Sequence, residues 1–482
     1  MTALLDLRPN VRHTRTMVEG GDGARLGRGA GFGIAAVGLE KAVALGIALY
    51  LPRHLGLPDY GRYAFLVSYL SFFQVLPDAG LEAVLVARLA RAGAAAANVA
   101  GGGALVRLAV SVVGATVGLA VLRVATGDGD LVHAGAVAAV GFAATAGTPY
   151  RVLVRGRLRL GQYVTLIGAQ ATLAIAFLGL AIARGGGLVA VFGAVSTAAL
   201  IAVILGRLLV GRGVRLHVDT DLARGLVREG WPLVGTTLAL LGAQQVLQLL
   251  LLRLDGAAAV GLLGGAQKLM DAVGLLPQAV MIVILPALAL AASRPEGAAR
   301  SARDAARALV IVLVPPAAIL ALWAETILAS VLGAPFAAAA TVLRILAPMA
   351  LLGATGAVIT NLLIAVGQQR VLVRVTAVAA VAIVALGAAL VPAYGPAAVA
   401  TALLVATAAG QIALVLLPAT GAAVGLVLAG VVRPIVLGIF ASAAVLATGA
   451  SLAPGVALLL AAYGAGLIAT GTVTRADLAR WA

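Results

Sequence analysis

Cysteine is absent from the 482 residues, so neither disulfides nor thiolate chemistry is open to this chain. Histidine occurs only four times, at His13, His54, His133 and His217, with no spacing that suits a metal site. Acidic residues number 18 against 34 basic ones, and lysine is nearly missing, with Lys41 and Lys268 the two copies. The net charge of +16 does not point to nucleic acid, because aromatics make up only 4% and are not interleaved with the arginines as base stacking requires. Long polar stretches are lacking too. No gap between apolar runs exceeds about twenty residues, which leaves no room for a soluble catalytic domain on either side of a membrane.

What is present is apolar sequence in membrane-length pieces. Hydrophobic residues account for 62% of the chain and the mean hydropathy is +1.10, more apolar surface than a water-soluble fold could cover. The runs divide into fourteen spans, at 30–51, 63–86, 104–122, 131–146, 161–183, 187–209, 231–252, 261–290, 308–328, 337–366, 371–391, 396–417, 434–450 and 455–470. Most are long enough to cross hydrocarbon as helices. The fold class is therefore an all-α polytopic membrane protein.

Arginine falls in bursts that are heavy in every second gap. With the N-terminus placed in the cytosol and Arg207, at the inner end of its span, counted as inner, the inner segments hold 25 of the 34 basic residues, the outer segments 5 and the spans 4. Arg8, Arg12, Arg151, Arg155, Arg303 and Arg307 are inner. The outer five are Arg53, Arg62, Arg123, Arg184 and Arg253. This bias predicts a multi-pass protein of the inner, cytoplasmic membrane with both termini cytosolic. Residues 1–29 are polar and basic without the apolar core of a signal peptide, and are expected to form a cytosolic tail. Tyr50, Tyr60, Tyr150, Trp231, Trp323 and Tyr394 fall where interfacial anchors belong.

An internal repeat with an offset of 200 residues pairs Leu51 with Leu251, Arg53 with Arg253, Gly56 with Gly256, Gly61 with Gly261, Leu76 with Leu276, Pro77 with Pro277 and Ala79 with Ala279. Glycines in a turn and a proline inside a span are structural punctuation, which gives these matches weight. Six crossings separate the first copy from the second, so the copies run parallel. They are related by an axis along the membrane normal, as in two-bundle carriers with a central cavity. The expected organisation is a tail at 1–29, a helical bundle at 30–210, a surface connector at 211–229, a second bundle at 230–417, two added spans at 418–473 and a tail at 474–482. A second amphipathic connector is expected before Arg433.

Charges inside spans are costly unless they face a wet cavity or a partner, and eight are candidates: Glu40, Lys41, Asp78, Glu82, Arg107, Lys268, Asp271 and Arg344. Gln74, Asp78 and Glu82 recur at four-residue intervals and form a polar stripe on one helix face. Two carboxylates one turn apart repel unless a proton, a cation or an arginine intervenes. This makes them candidates for ion coupling, while the plainer reading pairs Glu82 with Arg88. Lys268 and Asp271 suit either a cavity or an internal i,i+3 ion pair. Arg107 and Arg344 are near enough to span ends to snorkel, Arg107 especially. Gln244, Gln245, Gln248 and Asn361 add neutral polar groups that helix contacts explain equally well.

The stretch Leu55-Gly-Leu-Pro-Asp-Tyr-Gly-Arg-Tyr63, followed by Leu76-Pro-Asp-Ala-Gly-Leu81 and the basic run ending at Arg91, resembles the N-terminal signature of Wzx-type polysaccharide flippases. Arg253-Leu-Asp255, Val260-Gly261 and Ala266-Gln-Lys268 resemble the opening of that family's second repeat, and Thr474-Arg-Ala-Asp-Leu478 its usual C-terminal tail. The aromatic expected after Gly261 is replaced here by Leu262 and Leu263.

The resemblance implies about fourteen transmembrane helices in two pseudo-symmetric, MATE-like bundles, within the multidrug/oligosaccharidyl-lipid/polysaccharide exporter superfamily. It also implies a non-enzymatic carrier that flips an undecaprenyl-diphosphate-linked sugar from the inner to the outer leaflet, working beside membrane lipids and the glycosyltransferases or polymerase of a polysaccharide assembly system. No cofactor is expected beyond a coupling proton or sodium ion.

On this reading Lys41, Lys268, Arg344, Gln74 and Asn361 are the candidate substrate contacts, and Glu40, Asp78, Glu82 and Asp271 the candidate ion-coupling groups. Three rival readings are a cation-coupled multidrug extruder of the same superfamily, a membrane glycosyltransferase or polysaccharide ligase, and a non-enzymatic scaffold. Scarce aromatics weigh against the extruder, short outer loops against the enzyme, and the intramembrane charges against the scaffold.

Overall fold

The computed structural model of the chain describes residues 23–91, 96–156, 160–210, 220–274 and 295–473. Among them there are helices and turns and no strand. In order these are α1 (Gly23–Val75), a π-helical turn (Leu76–Leu81), α2 (Glu82–Arg91), α3 (Ala96–Thr126), α4 (Gly129–Ala146), α5 (Pro149–Gly156), α6 (Leu160–Ala183), α7 (Leu188–Val210) and α8 (Thr220–Val273). Then follow α9 (Pro295–Leu322), α10 (Ala324–Val331), a 3-10 turn (Ala334–Ala339), α11 (Ala340–Leu346), α12 (Met349–Ala365), α13 (Gln369–Tyr394), α14 (Pro396–Leu416), α15 (Gly421–Thr448) and α16 (Leu452–Ala469). Alanine and leucine, the best helix formers, supply most of these stretches. In lipid a helix is also the one local structure that pairs its own backbone groups.

Ten described helices are long and apolar enough to cross a membrane, and the pair α11–α12, bent by 40° around Ala347 and Pro348, makes an eleventh. These eleven correspond to spans three to seven and nine to fourteen of the sequence. Span one falls within α1, and span two runs from α1 through the π-turn into α2. Span eight begins in the second half of α8 and runs on into residues outside the described set. The protein is a multi-pass membrane protein. The stretch before Arg433, expected as a second amphipathic connector, is continuous with span thirteen in the unbroken 28-residue α15. The connector at 211–229 is likewise helical from Thr220 onward, as the start of α8, while 211–219 lie outside the described residues.

The chain separates into two compact units, one of residues 23–47 and 73–234, the other of 48–72 and 235–473 among those described. In the first unit α4 packs on α7, where Gly141 lies against Ser196 and the Ser196 hydroxyl donates to the Val137 carbonyl at 2.8 Å. An apolar core of Leu81, Leu85, Leu89, Leu153 and Leu226 joins α2, α5 and the start of α8. In the second unit α9, α12, α15 and α16 share a core built on Leu309, Leu313, Val358, Val427 and Leu459.

Residues 48–72 belong to the second unit, not to the first bundle as the sequence suggested, and the 200-residue repeat explains why. Gly56 and Gly256 adopt the same strained backbone, φ 73°, ψ 173° and φ 78°, ψ −178°, a region almost restricted to glycine, and each kinks its helix. Beyond the kinks the two copies cross on one another. A Cβ on Gly61 would lie 1.8 Å from the Ala257 carbonyl oxygen, and one on Gly261 2.6 Å from the Leu57 carbonyl oxygen. Leu57 and Ala257 are themselves 200 residues apart, so the contact is reciprocal, as a two-fold axis between the copies demands. Arg53 fastens the same segment by donating to the carbonyls of Ser330 and Val331, which the C-terminus of α10 leaves free.

Two expected interfacial aromatics turn out to be core. Tyr60 has no exposed surface and meets Phe336 edge-to-face at 5.4 Å, and Tyr150 is buried beside Gly206. Tyr50 and Tyr394 remain on the surface.

Candidate functional site

In the first unit, the strongest polar cluster forms where α1 gives way to the π-turn. Pro77 carries no N–H to continue the α-helical ladder, and the chain widens by one residue per turn at this point. Its carbonyl accepts the Glu82 N–H in the wider register and also accepts Nε of Arg107 at 2.9 Å. The same guanidinium reaches Asp78 at 3.0 Å and Glu82 at 2.6 Å through Nη2. Arg107 is therefore held on one side chain by three acceptors, with only 3% of that side chain exposed. Its partners differ, Asp78 at 50% and Glu82 at 18%.

Three expectations are corrected here. Arg107 does not snorkel to the membrane surface, because two carboxylates and a carbonyl offer it a charge-assisted set of bonds inside the protein. Glu82 does not pair with Arg88, which instead bonds Glu229 at 2.7 Å. Gln74 is not a cavity residue: it is buried, and its side-chain oxygen accepts the Ser111 hydroxyl at 2.8 Å between α1 and α3. The polar stripe 74–78–82 does exist, and its partner is the facing helix α3, which supplies both Ser111 and Arg107. Arg107 was the residue that sequence reasoning undervalued. The stripe itself carried the signal, since it required a cation to keep its carboxylates apart.

In the second unit, Lys268 Nζ lies 2.9 Å from Asp271 Oδ2 one turn along α8, with both side chains partly exposed. The internal ion pair is thus real, and the charges still lie at the helix surface. Arg344 is exposed on α11 and makes no ion pair among the described residues. Asn361 donates its amide to the Ala357 carbonyl of its own helix at 2.9 Å. Gln248 accepts the Ser68 hydroxyl at 2.7 Å, tying α8 to the second half of α1. Gln411 donates to the Leu352 carbonyl at 2.7 Å between α14 and α12. Such short interhelical bonds are normal fastenings in a membrane bundle. Glu40 and Lys41 lie within α1, but their side chains fall outside the described residues.

Residues 26–291 match the family described as polysaccharide biosynthesis protein. No curated protein matches the sequence. Among solved structures, the chain resembles a lipid II flippase, MurJ, in an inward closed conformation, with a TM-score of 0.69 at 11% identity over 90% of this chain and 97% of that one. It also resembles an inward-facing multidrug resistance MATE transporter of the MOP superfamily, with a TM-score of 0.62 at 15% identity over 87% of this chain and all of the other. A MOP superfamily transporter from Pyrococcus furiosus follows at a TM-score of 0.51 and 15% identity, over 87% of this chain and 95% of that one. At these identities the likeness is one of fold, and it agrees with the MATE-like two-bundle architecture expected from the sequence.

Proposed function

This chain belongs to the polysaccharide biosynthesis protein family, and from that premise we propose that it flips an undecaprenyl-diphosphate-linked sugar from the inner to the outer leaflet of the cytoplasmic membrane by alternating access. The family match over residues 26–291 is the observation that carries this reading. The fold shared with a lipid II flippase supports it, because such a carrier must leave a polyprenyl tail in lipid while its polar head crosses. The basic bias toward alternate loops supports cytosolic termini.

Three demands follow from the cargo. The sugar needs polar walls, the tail needs a lateral opening, and the diphosphate needs charge-assisted donors in place of water. Lys268 and Arg344, cations on span helices with surface still open, are the residues we assign to the diphosphate. Asp271 then sets the resting position of Lys268 and releases it when the stronger anion arrives.

Lys268→Ala and Arg344→Ala should each slow translocation of the lipid-linked sugar in proteoliposomes by roughly tenfold, on the scale of one charge-assisted bond of about 1.5 kcal/mol. The double variant should be slower again. Unchanged rates in both would remove these residues from the mechanism.

The MATE likeness favours one alternative, a cation-coupled extruder in which Asp271 holds the ion or a cationic drug. Efflux of cationic dyes from a sensitised host separates the two. Dye export that Asp271→Asn abolishes would favour the extruder.

A further inference from the structure

A second basic site, separate from the span charges assigned to the cargo, lies in the second unit where α9, α15 and the end of α16 meet. Its cavity of about 250 Å³ is lined by Arg303, Arg307, Ala429, Gly430, Arg433 and Thr472. That is far more room than the ~10–15 Å³ a single water needs. Three arginines and a threonine line this space, and no acidic residue is among its lining residues.

The local sequence builds the site deliberately. Arg303 and Arg307 are one turn apart on α9 and so share a face, while Arg433 approaches from α15. Gly430 lets the two helices close. A Cβ there would lie 2.6 Å from Cγ of Arg303 and 3.2 Å from the Arg303 carbonyl oxygen, so the arginine stem rests where a side chain would otherwise be. Nε of Arg303 is buried without a hydrogen-bond partner, although the adjacent Asp304 Oδ1 forms an ion pair with it at 3.7 Å and the rest of the Arg303 side chain is partly exposed. Thr472 is buried too and exchanges a hydrogen bond of 2.7 Å with Thr470. Three arginines around one hollow, with a buried Nε left without a hydrogen bond, outweigh the single carboxylate of Asp304 and suit an anion. The planar fork of arginine suits a tetrahedral oxyanion best.

The level of the site narrows the choice. Arg303 and Arg307 directly precede the most apolar part of α9, and Thr472 directly follows the apolar helix α16, so the cavity sits where headgroups begin. Basic pockets between transmembrane helices at this depth on the cytosolic side hold anionic headgroups. We propose that Arg303, Arg307 and Arg433 form a phosphate-binding site for the headgroup of an anionic phospholipid, distinct from the transported cargo. The proposal stands on this geometry and does not depend on what the chain carries.

Native mass spectrometry of the full chain, titrated with cardiolipin, phosphatidylglycerol or phosphatidylcholine, tests it, with inorganic phosphate as a parallel arm. Wild type should retain one anionic lipid in preference to phosphatidylcholine by at least tenfold. Arg303→Gln with Arg433→Gln should remove that preference, while the variant keeps its elution volume and helical circular dichroism. Gly430→Val, which leaves all three charges in place but displaces Arg303, should weaken binding as well. If phosphate alone protects the wild type against unfolding and competes with the lipid, the source is a soluble anion at the same site. Equal retention of all lipids, or anionic retention that both variants preserve, would overturn the assignment.

Discussion

Leucine at Gly61 or Gly261 should prevent the second unit from forming its native crossing, with a loss of about 3 kcal/mol or more and a large drop in folded protein recovered in detergent. The reason is that the obstruction is backbone. A Cβ on Gly61 would meet the Ala257 carbonyl at 1.8 Å, and one on Gly261 would meet the Leu57 carbonyl at 2.6 Å, so no side chain can rotate away to make room. The helices themselves would have to part, undoing the T-shaped contact of Tyr60 with Phe336 and the hold of Arg53 on α10. Even alanine should be strongly destabilising at Gly61. Leucine at Gly464, a helical position with no atom within 4 Å of a new Cβ, is the matched control and should be tolerated. Thermal unfolding followed by circular dichroism makes the comparison. Equal melting temperatures for the Gly61 and Gly464 variants would mean that the two copies do not cross at these glycines.

Arg107→Ala should be nearly as damaging, by about 3 to 5 kcal/mol, because it takes the guanidinium from between Glu82 and Asp78 and leaves the Pro77 carbonyl with the Glu82 N–H alone. The sharper test is what restores stability. If the cost is that of uncompensated charge, then Asp78→Asn and Glu82→Gln added to Arg107→Met should recover most of it, since a neutral cluster no longer needs the guanidinium. Arg107→Lys should recover little, as a single ammonium cannot reach three acceptors that the planar group spans. A neutral triple variant as unstable as Arg107→Ala would show that packing, and not charge balance, governs this junction. Melting temperatures of the four proteins in one detergent decide it.

The spans and the repeat were legible in the sequence because both rest on local chemistry. A run of apolar residues must cross hydrocarbon, and a glycine such as Gly56 or Gly256 marks a backbone that other residues resist. Partners were not legible in the same way. The stripe of Gln74, Asp78 and Glu82 announced that something polar faced it, but only the packing of α3 on α1 identified Ser111 and Arg107. Hydropathy misled at two kinds of place. Tyr60 and Tyr150 lie at span ends, where anchors are common, yet tertiary contacts bury both. Before Arg433 an amphipathic connector is expected, yet the stretch from Gly421 is helix continuous with the span, and Gly430 lets α15 press against α9. The arginine site around Gly430 escaped notice for a related reason: its members are distant in sequence, and each alone looks like a loop charge of the orientation bias.

Flipping itself is open to direct observation in proteoliposomes that hold the purified chain and an undecaprenyl-diphosphate-linked sugar labelled on the sugar. The label should become accessible to a membrane-impermeant quencher from the far leaflet at least tenfold faster than in protein-free liposomes, and the double variant at Lys268 and Arg344 should lose that acceleration. Label accessibility no faster than in protein-free liposomes, from a preparation that still expels a cationic dye, would contradict a lipid-linked sugar flippase and leave the extruder in its place.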